Sequence, residues 1–337
     1  MKESRSVLIT GGAGFIGSNL ASLLLGRDYY VDCVDNLITG NMDSINPLRS
    51  NKFRFFKVDI TSPEFHQACG EHHYDYIYHL ACPTGVPNIK KLGEEMLRTC
   101  SVGTDNALRL ALMHGSGLLY TSSAEVYGNP EVFPQEENYH GNVDPIGARS
   151  AYEEGKRFSE ALLVHYVRTY GMNARIVRIF NAFGPGMSMT DQRVIPQFIK
   201  RIKQGEKVVI YGDGSQTRTL LYVDDLVEGL KLVMEEGAAG EVYNIGGTKQ
   251  LSINELSELI GRLTPHKVDV EFQPHFIEDH IGREPAVSKV RGLGWEPRTD
   301  VLDGLKNMLA LHGLLAEDRM TAPADLSEAS RRRAASG

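Results

Sequence analysis

The chain has 337 residues with 36 Lys and Arg against 43 Asp and Glu, a formal net charge of −7 at pH 7, and that acidic balance speaks against a general nucleic-acid surface, which needs a basic footprint. At 42% hydrophobic and 23% charged residues the composition is that of a globular protein, long enough for a full core in about two domains without disulfides or metals. No apolar run approaches the roughly 18 residues that span a bilayer, the start MKESRSVLIT lacks a signal-peptide pattern, and Cys33, Cys69, Cys82 and Cys100 form no CxxC pair, so the expectation is a cytoplasmic protein with reduced thiols, away from membranes.

The first half alternates β-rich runs with helical stretches. Strands are expected at 6–10, 30–34 (ending at Asp35), 53–58 (ending at Asp59), 74–80, 117–121 and 175–179, with helices at 17–25, 96–114 and 152–170. Such alternation implies an α/β fold with a mainly parallel sheet, helices on both faces and ligands at the carboxyl ends of the strands. After Asn181 the pattern is less regular. Gly184, Pro185 and Gly186 mark a loop; helices are expected at 194–204, 226–235, 253–263 and 301–311, and strands at 208–211 and 268–272, as a smaller lobe. From about Thr321 the chain is rich in Ala, Ser and charge and ends with Arg331, Arg332 and Arg333, which reads as a solvated, disordered tail.

Thr10-Gly11-Gly12-Ala13-Gly14-Phe15-Ile16-Gly17 joins the first strand to the first helix. Glycines spaced as in GxxGxxG permit a tight turn and close approach of a pyrophosphate to the backbone, while the helix N-terminus offers free N–H groups. Asp35 closes the second strand 18 residues after Gly17, where a carboxylate binds the adenosine ribose diol. An acid there repels a ribose 2′-phosphate and Asn36 adds no cation, so NAD is favoured over NADP. The plain alternative for Asp35 is a turn or cap residue. Asp59 is placed either to reach the adenine side or to cap the segment after it.

Tyr152 and Lys156 form a YxxxK pair, on one face of a helix. A phenol has a pKa near 10; a neighbouring ammonium favours phenolate and makes a usable base. Ser123, in Thr121-Ser122-Ser123, ends the preceding strand and can bond the hydroxyl that Tyr152 deprotonates, or else cap a turn. His72, His73, His114, His266, His275 and His280 lack metal-ligand spacing and read as surface or loop residues; no metal is expected.

The segments TGGAGFIG, DN, HLA, SSAEVYG, YxxxK, RIFNAFGP, YGDGSQTRTLLYVDD, YNIGG and LGWEP occur in that order between residues 10 and 297. Together they resemble the extended short-chain dehydrogenase/reductase family that acts on nucleotide-sugars. The segments 141–147, 150–157 and 191–194, with the GREP run containing Arg283, are most similar to its UDP-glucuronate decarboxylase subgroup. The resemblance implies a Rossmann-type doubly wound parallel sheet for tightly held NAD at 1–180, a C-terminal α/β nucleotide-sugar lobe at 181–315 and a tail at 320–337, with some later segments returning to the first domain. It also implies a homodimer through the helices at 96–114 and 152–170. Cofactor contacts are implied at Gly11, Gly14, Phe15, Ile16, Gly17, Asp35, Asn36, Asp59, Ile60, Leu80, Ala81, Tyr152 and Lys156. For the UDP- or dTDP-linked substrate they are implied at Asn181, Arg193, Tyr211, Gln216, Arg218 and Arg283.

The reaction implied is decarboxylation through a 4-keto sugar. Glu125 aligns with a glutamate near C5 and the ring, and Arg283 with the arginine that holds the carboxylate region; their plain alternatives are a turn cap and a surface ion pair with Glu284. Two departures stand out. The subgroup has a hydroxyl residue where this chain has Ala124, and the loop from Cys82 to Asn88 differs from the subgroup's ACPASP pattern. C4 epimerisation ranks second. A 4,6-dehydratase, whose acid–base pair would fall at Ala124 and Glu125, ranks third. A non-catalytic NAD-binding scaffold or redox sensor needs none of Ser123, Tyr152 and Lys156 and ranks below these.

Overall fold

Six of the expected runs form the sheet around which the chain is organised: β1 (Ser6–Thr10), β2 (Tyr30–Asp35), β3 (Phe53–Lys57), β4 (Tyr76–His79), β5 (Gly117–Ser123) and β6 (Ala174–Ile179). The computed structural model describes residues 4–265, 267–274 and 282–316. The tail from Thr321 and His266, His275 and His280 lie outside the described residues. A strand unforeseen in the sequence, β7 (Val242–Ile245), pairs in parallel with β6 and completes a seven-stranded sheet in the order β7-β6-β5-β4-β1-β2-β3. All neighbouring strands run parallel. The order reverses between β1 and β4, which opens the crevice where such sheets take ligands.

Alternation along β1 supplies both layers. Val7 and Ile9 enter one core with the helices α1 (Phe15–Gly26) and α4 (Val223–Glu236), whereas Leu8 enters the opposite core. That opposite core also takes Leu108 and Ala111 from α2 (Thr104–His114) and Leu163 from α3 (Ser150–Tyr170). Thus α4 and β7, both beyond residue 180, return to the sheet.

The run at 96–114 is not one helix. Gly93–Arg98 passes into a π turn, Thr99–Gly103, before α2 begins. At the break Ser159 of α3 donates its hydroxyl to the Cys100 carbonyl at 2.7 Å, and Gly103 lets Ile60 come close, since a Cβ there would lie 2.8 Å from it; a side chain that bonds into the ladder is a known companion of such breaks.

The lobe packs the helices Val194–Gln204, Ile253–Leu263 and Val301–Leu311 around Phe183, Phe198, Ile210 and Leu305. The strand expected at 268–272 is Val270–Gln273, parallel to Val208–Tyr211. Short strands join Ala182–Phe183 to Leu221–Tyr222 and Thr217–Thr219 to Gln250–Ser252.

Candidate active site

The glycine turn sits at the switch point. Gly11 has φ +71°, and a Cβ there would lie 2.8 Å from the Ala81 nitrogen; one on Gly17 would lie 2.2 Å from the Gly11 carbonyl oxygen. Glycine is therefore required by a positive φ and by backbone-to-backbone contact. Gly14 is the N-cap of α1 and uses no side chain to cap it, so the first helical N–H groups are left to a ligand. Leu80 and Ala81 close the turn from β4: their N–H groups donate to the Thr10 carbonyl at 3.1 Å and the Thr10 hydroxyl at 3.3 Å. Beneath, buried His79 bridges the hydroxyls of Thr10 (2.8 Å) and Thr104 (3.1 Å), and burial followed by the Lys156 charge lowers its pKa to about 3, which keeps it neutral.

Asp35 accepts the Ala13 and Leu37 N–H groups at 3.0 and 2.8 Å. Burial raises its pKa while these two bonds oppose the rise. Asp59 lies two residues beyond β3. It accepts both the N–H and hydroxyl of Thr61 at 2.7 Å and the Asn36 amide at 2.8 Å, so it does cap the following segment while holding Asn36 beside it. Ile60 is 5% exposed and its side chain sits in the core. Phe15 and Ile16 pack from α1 onto the cores, Phe15 onto the lobe's as well. A turn too tight for a Cβ at Gly11 or Gly17, uncapped helix N–H groups and a carboxylate at the end of β2 fit a dinucleotide with a free ribose diol.

At the carboxyl end of β5 the chain turns through a 3₁₀ segment, Ala124–Tyr127, capped by the Ser123 hydroxyl, which accepts from the Glu125 N–H at 3.3 Å. Across from it, α3 presents Tyr152 and Lys156. Lys156 is buried, donates to the Thr121 carbonyl at 2.9 Å, and lies 5.8 Å from the Tyr152 ring centre. Burial works against its charge, but Tyr120, Cys82, Tyr152 and Cys100 outweigh that and raise its pKa. For Tyr152 the balance differs from the sequence expectation. Burial pushes the phenol up to about 12, and the opposing pulls of Lys156 and the Ser123 hydroxyl do not cancel it.

Glu125 and Arg283 meet. Arg283 places both terminal nitrogens on the Glu125 carboxylate and donates to the Gly128 carbonyl at 3.0 Å. Glu284, its expected neighbour partner, instead accepts from Gln250 at 2.6 Å. A third member was invisible as a site residue: Arg149, three residues before Tyr152, also pairs with Glu125 and bonds Glu153 at 3.1 Å. Burial opposes the Arg149 charge, but Glu125 and Glu153 raise its pKa. The available signal was a cation at the start of the YxxxK helix. The turn itself is braced by Tyr127, whose hydroxyl donates to Asn244 at 2.8 Å and accepts from Arg178 at 2.9 Å; Arg178 in turn grips Glu160.

The lobe candidates lie farther out. Arg283 borders a cleft with Thr217, Gln250 and Phe133, and Arg218 adjoins Thr217 on the same strand, donating to its carbonyl at 2.9 Å. Gln216 donates to the Tyr211 carbonyl at 2.7 Å. Asn181 accepts from Leu221 through its carbonyl at 2.9 Å, between sheet and lobe. Arg193 is clamped by Asp191 at 2.6 Å and lies 6.0 Å from the Phe15 ring centre, so it joins lobe to nucleotide turn with its charge largely answered. His114 is half-buried against Tyr74 and bonds the Gly70 carbonyl at 3.0 Å, rather than lying on the surface. Among the described residues, no group of three or more His, Cys, Asp or Glu is placed to hold a metal, and no helix is long and apolar enough to cross a membrane.

A parallel sheet with a dinucleotide turn at its switch point, followed by a serine and a Tyr–Lys pair at the same crevice, defines a Rossmann-type enzyme of the short-chain dehydrogenase/reductase class. The model of the NAD dependent epimerase/dehydratase family matches residues 7–246; the chain belongs to that family, and NAD is its cofactor. It is 40% identical over 306 residues to UDP-glucuronic acid decarboxylase 1 of Arabidopsis thaliana, covering 90% of this chain and 69% of that protein. With UDP-glucuronic acid decarboxylase 6 of the same plant the figures are 40% over 310 residues, 91% and 88%. Among solved structures it resembles the UDP-glucose 4-epimerase of Thermotoga maritima with UDP-glucose, at TM-score 0.83, 29% identity and coverage of 90% and 97%. It also resembles dTDP-glucose 4,6-dehydratase from Streptomyces venezuelae, solved with NAD, at TM-score 0.81, 28% identity and coverage of 91% and 96–97%.

Proposed function

We propose that the chain decarboxylates UDP-glucuronate, or a closely related NDP-hexuronate, to the NDP-pentose, with NAD regenerated in each cycle. The observation that carries this reading is the state of Arg283. Its terminal nitrogens hold a carboxylate, and its Nε is buried with no acceptor among the described residues. A buried, unanswered donor is costly, and a guanidinium fork already set to a carboxylate suits an incoming uronate.

NAD, when bound, supplies the hydride acceptor and donor for sugar C4 and a positively charged nicotinamide. Tyr152 takes the proton of the 4-hydroxyl, with Ser123 on the same oxygen and the Lys156 ammonium favouring the phenolate. Oxidation at C4 makes the carboxylate β to a ketone, so loss of CO2 leaves an enolate the ketone can accommodate. Arg283 orients the carboxylate for departure. As substrate competes for Arg283, Arg149 still holds Glu125, which keeps a charged group fixed beside C5 and the ring. Arg218, Gln216, Tyr211, Asn181 and Arg193 would bind the nucleotide diphosphate and sugar from the lobe. Gly11, Gly14 and Gly17 with Phe15 and Ile16 would cradle the NAD pyrophosphate, and Asp35, Asn36 and Asp59 with Ile60, Leu80 and Ala81 the adenosine side.

The test is product mass after incubation with NAD and UDP-glucuronate. Loss of CO2 is expected. Unchanged mass with a new configuration would replace the reading by 4-epimerisation, and no turnover of any nucleotide-sugar would favour the scaffold. A second check concerns the cofactor. Asp35→Asn should weaken NAD by about tenfold, the order of one charge-assisted hydrogen bond, and narrow the preference over NADP. Calorimetric titration with both nucleotides measures this; an unchanged ratio would remove Asp35 from the ribose.

The same proposal includes a cytoplasmic homodimer. Leu97, Val102 and Phe158 are 46%, 42% and 52% exposed on the two segments expected to pair, an apolar face that a second copy would cover. Sedimentation as a monomer at micromolar concentration would contradict it. Cys33, Cys69, Cys82 and Cys100 are free thiols.

A further inference from the structure

Two of those thiols meet next to the Tyr–Lys pair. Cys82 follows the Leu80–Ala81 wall of the nucleotide turn, and Cys100 lies in the π turn. Their sulfurs are 3.7 Å apart. Cys100 is 2% exposed, while Cys82 is half-buried. Gly155, the residue before Lys156, has no side chain just where Cys100 packs: a Cβ there would lie 3.2 Å from the Cys100 sulfur. Both sulfurs act on the Lys156 charge, and Cys82 on Tyr152 as well. The S–H···S contact first, and the Lys156 ammonium after burial is overcome, draw the Cys100 thiol below its usual range. A thiolate beside a cation is the reactive form of cysteine. Within the pair it is Cys82 that keeps the proton, its thiol raised first by the contact with Cys100 and then by burial; Cys33 and Cys69 stand apart from the pair, with pKa values raised mainly by burial.

We infer that Cys82 and Cys100 form a reversible dithiol–disulfide site that, when oxidised by a hydroperoxide, loosens the grip of the site on NAD and slows turnover. The chemistry balances within the pair and the oxidant. One sulfur attacks the outer peroxide oxygen, the O–O bond breaks, and a sulfenic acid and one water (or alcohol) form. The second sulfur attacks the sulfenic sulfur, forming the S–S bond and releasing a second water. Two thiols lose two electrons and two protons, and the peroxide is reduced. A dithiol, or two monothiols in turn, returns both electrons and both protons and leaves as its own disulfide. The geometric consequence follows from distance. A disulfide holds its sulfurs about 2.05 Å apart, so the pair must close from 3.7 Å. Cys100 is thereby drawn off Gly155, the neighbour of Lys156, or Cys82 off the wall beside Ala81, and both Lys156 and Ala81 are residues that the resemblance to the family implies as NAD contacts. Displacements of about 1 Å at such a site cost up to about 10²-fold.

The experiment treats the NAD-loaded protein with hydrogen peroxide and follows three readouts. The intact mass should fall by two hydrogens and a peptide joining Cys82 to Cys100 should appear. NAD affinity, measured without any sugar, should fall at least about tenfold, and dithiothreitol should restore it. Turnover of UDP-glucuronate should fall in parallel; absence of turnover in the reduced protein would overturn the proposed reaction, while NAD affinity would still decide this site. Cys100→Ser and, independently, Cys82→Ser should make NAD affinity insensitive to peroxide, with thermal melting confirming that each variant is folded. Failure to recover the joined peptide, or its formation with NAD affinity unchanged, overturns the inference.

Discussion

Tyr152→Phe is expected to lower turnover by about 10³-fold, within the range a positioned acid–base group contributes, while leaving NAD bound. The phenol is the only group of the pair able to accept the substrate proton, because Lys156 is held charged. Its hydroxyl carries no backbone element, so the change removes chemistry without unseating α3. The pH dependence follows from the sign of each contribution. Phenolate is the active form, burial opposes it and Lys156 favours it, so activity should climb with pH along the limb that Tyr152 governs. Lys156→Met removes the favourable charge and should move that limb to higher pH. The bound nicotinamide charge acts in the same direction as Lys156, so the limb of the NAD-loaded enzyme should lie below the value of about 12 that the protein's own groups set. Rapid mixing with UDP-glucuronate, following NADH absorbance, measures the first step directly. NADH formation at an undiminished rate in Tyr152→Phe would remove Tyr152 from the base role.

The two halves of the chain differ in how much of this could be read beforehand. The strands of the main sheet are legible because parallel strands buried on both faces need continuous apolar runs, as in Val7-Leu8-Ile9. β7 was not, because Val242–Ile245 is short and follows a helix with no alternation to mark it; only its pairing with β6 defines it. The π turn at Thr99–Gly103 was hidden for a related reason: its partners, Ser159 on Cys100 and Ile60 beside Gly103, come from other elements, and local periodicity carries no trace of them. Among site residues, the Gly turn and YxxxK are legible because each function needs its residues close in sequence. The Glu125–Arg149–Arg283 cluster joins residues from β5's end, the start of α3 and the lobe. Glu125, at its centre, and Arg283 were reached through resemblance, but Arg149 has only an arginine's ordinary appearance before a helix, and its role lies in a contact across the fold.

That cluster gives Arg283→Gln its expected signature. Two linked effects must be separated: loss of the fork that reads the uronate, and loss of one of the partners that fix Glu125. Arg149 remains on Glu125 and Glu153 remains on Arg149, so the carboxylate is not left buried and alone, the condition that makes broken buried pairs strongly destabilising. Melting temperature should therefore fall by only a few degrees, corresponding to about 1 kcal/mol, whereas affinity for UDP-glucuronate should fall by about 10²-fold, as expected for losing charge-assisted hydrogen bonds to a carboxylate. UDP-glucose carries the same nucleotide and ring without that carboxylate, so the variant should bind it like the parent protein. Calorimetric titration of both sugars makes the comparison within one protein sample. Equal weakening of the two would mean that Arg283 shapes the cleft beside Thr217 and Gln250 rather than reading the carboxylate, and the decarboxylase reading would lose the observation that carries it.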